Sequence, residues 1–408
     1  MQSNRIFFNF KLIFVFMYNV YEIRKDFPVL EKVIYLDNGA TTQTPKPAVD
    51  AMTDFYFNYT ANYGRGAHRL SIETTNAFED ARETVADFLN APAEKMIMTK
   101  NTTEGINIVA GGFGFVPGDH VITTLAEHHS NLVPWLRQKE KGVDVSVAGI
   151  DREGFVSPKQ IEEMITDKTK LIAVGHISNV FGAVQTISEI IKIAKKNGIK
   201  TLIDGAQSAG HTPVDLKTMD CDFFAAAGHK GLLGPQGTGI LYIKDPDAIE
   251  PSYLGGGTTS KADSCGFETK SAPEKFEAGT PNIPGVIGLG AAVEYLKNIG
   301  IKETEKHENE LSRETAKRLK EIDGVEIYGP IERAGLVSFN VEGMEPHTVA
   351  MYLDKLKKIC VRSGYHCAIP GQQALGINGS VRASFALYNT KEEMEILAET
   401  VEEIAKNR

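Results

Sequence analysis

The chain has no basic excess: 44 lysines and arginines stand against 53 aspartates and glutamates over 408 residues, a formal net charge of -9. With no surplus of positive charge to neutralise a phosphate backbone, nucleic acid is not expected as a partner. Cysteine is equally scarce. Cys221, Cys265, Cys360 and Cys367 are scattered and form no C-x-x-C pair, so they supply neither a disulfide framework nor a metal site, and a reducing, cytoplasmic setting fits them best. No segment is apolar for long enough to span a bilayer, which predicts a soluble protein with no membrane association. There is no internal repeat and no low-complexity tract.

The first residues, MQSNRIFFNFKLIFVFMYNV, weakly imitate a signal peptide, with Arg5 and Lys11 beside an apolar run from Leu12 to Met17. That run is short and no small-residue cleavage site follows it. Residues 1–16 are therefore read as a non-native or disordered extension, with Met17 as the initiator.

A chain of 408 residues is longer than one core usually grows, so a large and a smaller domain are expected. Between about residues 95 and 245, short apolar runs alternate with longer helical patterns, as in a parallel-sheet α/β protein. MIMTK, HVITTL, VDVSVAGI, KLIAVGHIS, KTLIDG, CDFFAAAG and GILYI read as strands. A helix is predicted around Gln160 to Thr166, and another over ISEIIKIAKKNG, closed by Gly198. From about Gly285 the texture turns to helices rich in Glu and Lys, followed by the strands GLVSFNV and GSVRASFAL. The large domain is placed at 35–284 and a smaller α+β domain at 17–34 and 285–408. PSYLGGGTTSKADSCGF, polar and glycine-rich, reads as a loop near a site or a subunit contact.

Chemistry concentrates in a few places. In AAAGHKGLLGPQGTGILYI, Lys230 follows a strand among glycines that permit close approach of a bulky group. A lysine that forms a Schiff base must present a free amine, which burial beside other cations such as His229 favours; the alternative is a surface lysine among turn glycines. Asp204 ends the strand KTLID, on the rim where α/β sheets bind ligands, and a carboxylate there can keep a pyridine nitrogen protonated. Thr102 and Thr103 open a helix whose free N–H groups and hydroxyls suit a phosphate, alongside plain capping by Asn101 or Thr102.

His128 and His129 end another strand, where an imidazole can stack on a planar cofactor and move protons. Adjacent histidines point different ways and no further ligand spacing supports a metal. Cys367 stands in a loop near Arg362 and His366, cations that favour a thiolate, although local sequence alone favours an inert packed cysteine. Cys360, in an apolar run, reads as a small core residue. Arg382 lies on a strand, suited either to a bidentate grip on a carboxylate or to a surface ion pair.

The motifs YLDNGATTQTP, NYGRGAHRLS, NTTEGIN, EHHSNLVPW, HISNVFGAV, DGAQSAGH, GHKGLLGPQGTGILY, FEAGTPN and RSGYHCA occur in that order. Together they resemble the fold-type I pyridoxal-phosphate enzymes of the class V aminotransferase group, and within it the SufS-like cysteine desulfurases, from about Tyr35 onward. The resemblance implies a mostly parallel large domain flanked by helices. It implies pyridoxal 5'-phosphate linked to Lys230, with Asp204 on the pyridine nitrogen, Gln207 on the phenolic oxygen and His128 stacked on the ring as an acid–base group. Thr102, Thr103 and His229 would hold the phosphate, joined by Thr280 from the second subunit of a homodimer. Asn179, Arg362 and Arg382 would bind the substrate L-cysteine, and Cys367 would receive its sulfur as a persulfide for a SufE-like, SufU-like or scaffold acceptor in iron–sulfur cluster assembly or related sulfur metabolism.

The same framework also serves selenocysteine lyases, and other class V aminotransferase or epimerase chemistries share the fold. Three departures stand out. Tyr365 occupies a position where the branch commonly has histidine, and GQQALGING replaces an apolar Pro-Leu start, both beside the acceptor-facing loop. Gly39 replaces the usual alanine, a change expected to be minor.

Overall fold

A computed structural model describes residues 18–408, so the expectation for residues 1–16, and Met17, lie outside the described residues. β1 (Ile34–Tyr35) precedes seven strands that build the main sheet: β2 (Met96–Thr99), β3 (His120–Thr124), β4 (Asp144–Ala148), β5 (Thr169–Gly175), β6 (Lys200–Asp204), β7 (Phe223–Ala227) and β8 (Gly239–Ile243). Their order is β2-β8-β7-β6-β5-β3-β4. β4, β3, β5, β6 and β7 pair in parallel, and only β8 runs against its neighbours. Each expected strand of this region is present.

The sheet is buried on both faces, which is why its strands read as near-continuous apolar runs. Alternate residues serve opposite cores: Ile122, Ile172, Ile203 and Phe224 enter one cluster, whereas Val121, Leu171, Leu202 and Phe223 enter the other. The amphipathic helix Ile187–Lys196 covers the first face with Ile187, Ile190, Ile191 and Ala194. It ends at Asn197, with Gly198 at φ +68°.

A hairpin of β9 (Thr259–Ala262) and β10 (Phe267–Thr269) replaces the loop expected across PSYLGGGTTSKADSCGF. The exposed residues of this segment satisfy their backbone groups by pairing with one another.

A second, four-stranded sheet has the order β11-β12-β15-β14, from β11 (Val325–Tyr328), β12 (Leu336–Val341), β14 (Arg362–Gly364) and β15 (Ser380–Ser384). β13 (Ile359–Cys360) pairs in parallel with β1 instead. Helices Ile301–Lys320, Pro346–Lys357 and Lys391–Lys406 pack on this sheet through Leu311, Leu319, Val349, Leu353, Leu397 and Val401. Helix Ile283–Ile299 spans the expected boundary at residue 285, and its Val286, Ile287, Leu289 and Val293 pack into the core of the main sheet.

The chain steps from β3 outward to β4 and returns to β5 on the other side of β3, so the order reverses there. Open α/β sheets bind ligands in the crevice beyond the carboxyl ends of the strands at such a reversal. β8 closes the nearby floor: Gly239, its first residue, lies against Asn101, the cap of helix Thr102–Gly112, and a Cβ at 239 would sit 2.6 Å from Asn101 Cα. Gly239→Ala is therefore expected to cost about 1–3 kcal/mol through overpacking. A lowered urea midpoint is the measurement that checks it.

Candidate active site

A cavity of about 190 Å³ lies at that crevice. The loop after β3 contributes Glu127, His128 and Ser130; the end of β5 and its loop contribute Gly175, Ile177 and Asn179. Asp204 and Gln207 come from the end of β6, His229 and Lys230 from the turn after β7, and Thr102 and Thr103 from the helix start. The second sheet supplies Arg362 and Arg382, with His366 just beyond β14.

Segment 37–42 holds the two parts together beneath Lys230. Thr42 Oγ1 donates to the Lys230 carbonyl at 2.7 Å and Thr42 N to the His229 carbonyl at 3.0 Å. On the other side, Gly39 N donates to Ser384 Oγ at 2.7 Å and Asn38 Nδ2 to the Ser384 carbonyl at 2.6 Å. Gly39 is more than a minor change. A Cβ there would lie 3.0 Å from the Arg382 guanidinium, so the glycine lets that cation pack against the main chain.

Burial sets the charges. Desolvation lowers the Lys230 amine to about 8, assisted by Arg382 and Arg362 and opposed by Asp204. Arg382, fully buried, falls to about 10 by desolvation, and its Nη2 meets Asp37 Oδ1 at 3.4 Å, which makes the pairing an interior rather than a surface one. His128 is pushed down to about 3 by burial and by Lys230, and His366 to about 2 by burial and the two arginines, so both rings are neutral. Asp204 is raised by desolvation, against the pull of the Ala206 N–H at 2.9 Å and of Lys230. Gln207 Nε2 donates to the Gly39 carbonyl at 2.8 Å.

Several buried polar atoms of the cavity wall have no partner: Thr102 Oγ1, His229 Nδ1, Asn179 Oδ1, His366 Nδ1 and Arg382 Nε. Orphaned buried groups are costly and mark places for a ligand. A hydroxyl and an imidazole near a helix start fit a phosphate; an amine of lowered basicity, a buried carboxylate and a flanking imidazole fit an imine-forming pyridine aldehyde. The residues present thus fit pyridoxal phosphate. Among the described residues, no group of three or more His, Cys, Asp or Glu is arranged to hold a metal ion.

Cys367 sits in a turn with left-handed backbone, His366 at φ +51° and Cys367 at φ +58°. Such geometry is unfavourable for residues with a Cβ and needs external support. His129 N donates to the Cys367 carbonyl at 2.7 Å, Asn179 Nδ2 to the His366 carbonyl at 2.8 Å, and Ile369 N to His129 Nε2 at 3.3 Å, all anchoring the turn to the main-sheet part of the molecule. The opposite anchor is His366 Nε2, 3.0 Å from Ser380 Oγ. The thiol lies 4.0 Å from Arg362 Nη2.

The remaining sequence-predicted positions fall elsewhere. Thr280 is exposed and outside this cavity, in the loop after Glu277, whose carboxylate grips buried Arg82 at 2.5 and 2.9 Å. Cys360 is partly exposed at the short strand β13 and not a core residue, because β13 pairs only with β1; Cys221 is the buried cysteine. Asp37, Thr42, Glu127 and Ser130 were not singled out from sequence, although each lies inside or beside a quoted motif. Glu127 is a buried carboxyl raised to about 7 by desolvation, held by Thr124 Oγ1, Asn131 Nδ2 and Gly175 N, and it fixes the loop that presents His128.

The profile of the aminotransferase class-V family matches residues 34–397. A protein named "Probable cysteine desulfurase" from Methanothermobacter thermautotrophicus is 48% identical over 390 residues, 94% of this chain and 98% of that one. The apo structure of a cysteine desulfurase from Thermococcus onnurineus superposes with a TM-score of 0.92 at 45% identity, covering 95% of this chain and 98% of its own. That of the Escherichia coli cysteine desulfurase CsdA, carrying an S-sulfonic acid, gives 0.90 at 35% identity over 96% and 99%. The chain belongs to the aminotransferase class-V family of pyridoxal-phosphate enzymes. Within that family its place is among the SufS-like cysteine desulfurases.

The lowered basicity of Lys230 has a direction that can be measured. Because the fold favours the neutral amine, protonation sets in only as pH falls through about 8. The rate at which apo-enzyme takes up pyridoxal phosphate, followed by visible absorbance, is expected to rise with pH through that value and level off above it. A midpoint near 10, the range of an ordinary lysine, would contradict the assignment.

Proposed function

We propose that the enzyme converts L-cysteine to L-alanine and leaves the sulfur as a persulfide on Cys367. The observation that carries this reading is a shared wall. Arg362 lines the cavity that contains Lys230, and its Nη2 is also the neighbour of the Cys367 thiol at 4.0 Å. The reaction balances without an external oxidant: the substrate C–S bond breaks, an S–S bond forms at Cys367, and the substrate β carbon gains a proton.

When bound, pyridoxal phosphate supplies an electron sink for the charge that develops at the substrate α carbon. Thr102, Thr103 and His229 hold its phosphate, Asp204 its pyridine nitrogen and Gln207 its phenolic oxygen, with His128 against the ring. Arg382 orients the substrate carboxylate through its guanidinium Nε, and Asn179 Oδ1, an acceptor without a protein partner, takes an N–H of the substrate amino group. Lys230 Nζ moves the proton at the α carbon, a task suited to an amine titrating near 8. His128, neutral by burial, serves as the second proton-transfer group. Arg362 keeps the Cys367 sulfur beside a positive charge during attack on the substrate sulfur.

The turn at Cys367 is clamped on both sides, so the thiol does not travel. A persulfide acceptor of SufE-like, SufU-like or scaffold type docks beside it. The catalytic unit is a homodimer in the cytoplasm, in which the exposed Thr280 reaches the partner's phosphate site. Its large domain is organised around the main sheet and its small domain around the second. Cys367→Ala is expected to keep the visible absorption of the lysine-bound cofactor while alanine formation drops about 100-fold or more, as for loss of a covalent nucleophile. Cys221→Ala and Cys265→Ala should leave turnover unchanged. Persistence of full alanine formation in Cys367→Ala would overturn the assignment.

A further inference from the structure

Ser130 stands two residues after His128 and makes contacts that determine the state of its ring. The backbone N–H of Ser130 donates to His128 Nδ1 at 3.1 Å. A main-chain N–H has no acceptor role, so Nδ1 is the lone-pair nitrogen and the proton of the neutral ring is on Nε2. The Ser130 hydroxyl is 2.9 Å from the same Nδ1 and 2.7 Å from Thr103 Oγ1. The three groups therefore form one chain, Thr103 to Ser130 to His128, all on the cavity wall.

We propose that Ser130 is a positioning residue whose hydroxyl relays anion occupancy at Thr103 to the lone pair of His128. The inference rests on the phosphate role proposed for Thr103. Without an anion, Thr103 donates to Ser130 and Ser130 donates to Nδ1, which then receives two donors. An unprotonated phosphate oxygen beside Thr103 accepts a hydrogen bond from the Thr103 hydroxyl. The Thr103 oxygen then accepts the single Ser130 proton, and Nδ1 keeps the backbone N–H alone. Removing a donor from the neutral ring's lone pair makes that ring easier to protonate, so filling the phosphate site prepares His128 for proton transfer. No bond is broken and no proton leaves its oxygen; only two hydroxyl rotors turn.

The test uses apo-enzyme with ¹⁵N-labelled histidine, titrated with inorganic phosphate, with His128 Nδ1 followed by NMR and phosphate binding followed independently by ³¹P line broadening. In the wild type, Nδ1 is expected to resonate as an unprotonated nitrogen and to move downfield as phosphate saturates. In Ser130→Ala it should already be downfield without phosphate and should lose most of the phosphate response, while Ser130→Thr restores the wild-type pattern. Phosphate binding with equal shifts in wild type and Ser130→Ala would overturn the relay and leave the phosphate site standing. A protonated Nδ1 in the wild type would overturn it as well. Failure of phosphate to bind at all would remove the phosphate reading and the relay with it.

Discussion

Burial of positive charge around one small cavity is the constraint on which the rest of the structure depends. Lys230, Arg362 and Arg382 converge there, opposed by Asp204 and Asp37. Desolvation is the largest influence on Lys230 and Arg382, lowering both. The same cost keeps His128, His229 and His366 from adding further charge. A cavity of this kind is stabilised by anions that pair with its walls, and a phosphate and an amino-acid carboxylate are both anions. The balance that makes the site receptive to them is also what makes Lys230 a usable amine near neutral pH.

The fold brings these groups together from distant parts of the chain. The strand reversal at β3 and β5 opens the crevice, and the strand ends on that rim supply His128, Asn179, Asp204 and Lys230. The second sheet sends its arginines in from the other side, and segment 37–42 sets the spacing by hydrogen bonding to both. The left-handed turn at His366 and Cys367 is maintained by contacts from His129 and Asn179. Asn179 thus has two atoms in different states, Nδ2 on the turn and Oδ1 buried without a protein partner. The clamp from both sides holds this unfavourable backbone, and the thiol with it, where it is.

Much of this was legible in the sequence. The strands of the main sheet stand out because burial on both faces demands unbroken apolar runs, and Asp204 and Lys230 could be placed at strand ends for the same reason. The hairpin at residues 259–269 was not, since its exposed strands carry no apolar alternation. Cys360 was misread because an apolar run says nothing of which strand will cover it. The weight of Gly39 depends on an arginine 343 positions later, Arg382, and that contact has no local signature. Ser130 and Glu127 lie between residues that were recognised, but their roles come from hydrogen bonds that spacing does not encode.

The destination of the substrate sulfur decides whether Cys367 is the acceptor. Incubating the enzyme with L-cysteine, without reductant or acceptor, and weighing its peptides tests this directly. The peptide containing Cys367 is predicted to gain about 32 Da, one sulfur atom, and to lose it on treatment with a thiol, while those containing Cys221, Cys265 and Cys360 stay unchanged. An unmodified Cys367 alongside continued alanine release, or a sulfur found on another cysteine, would contradict it.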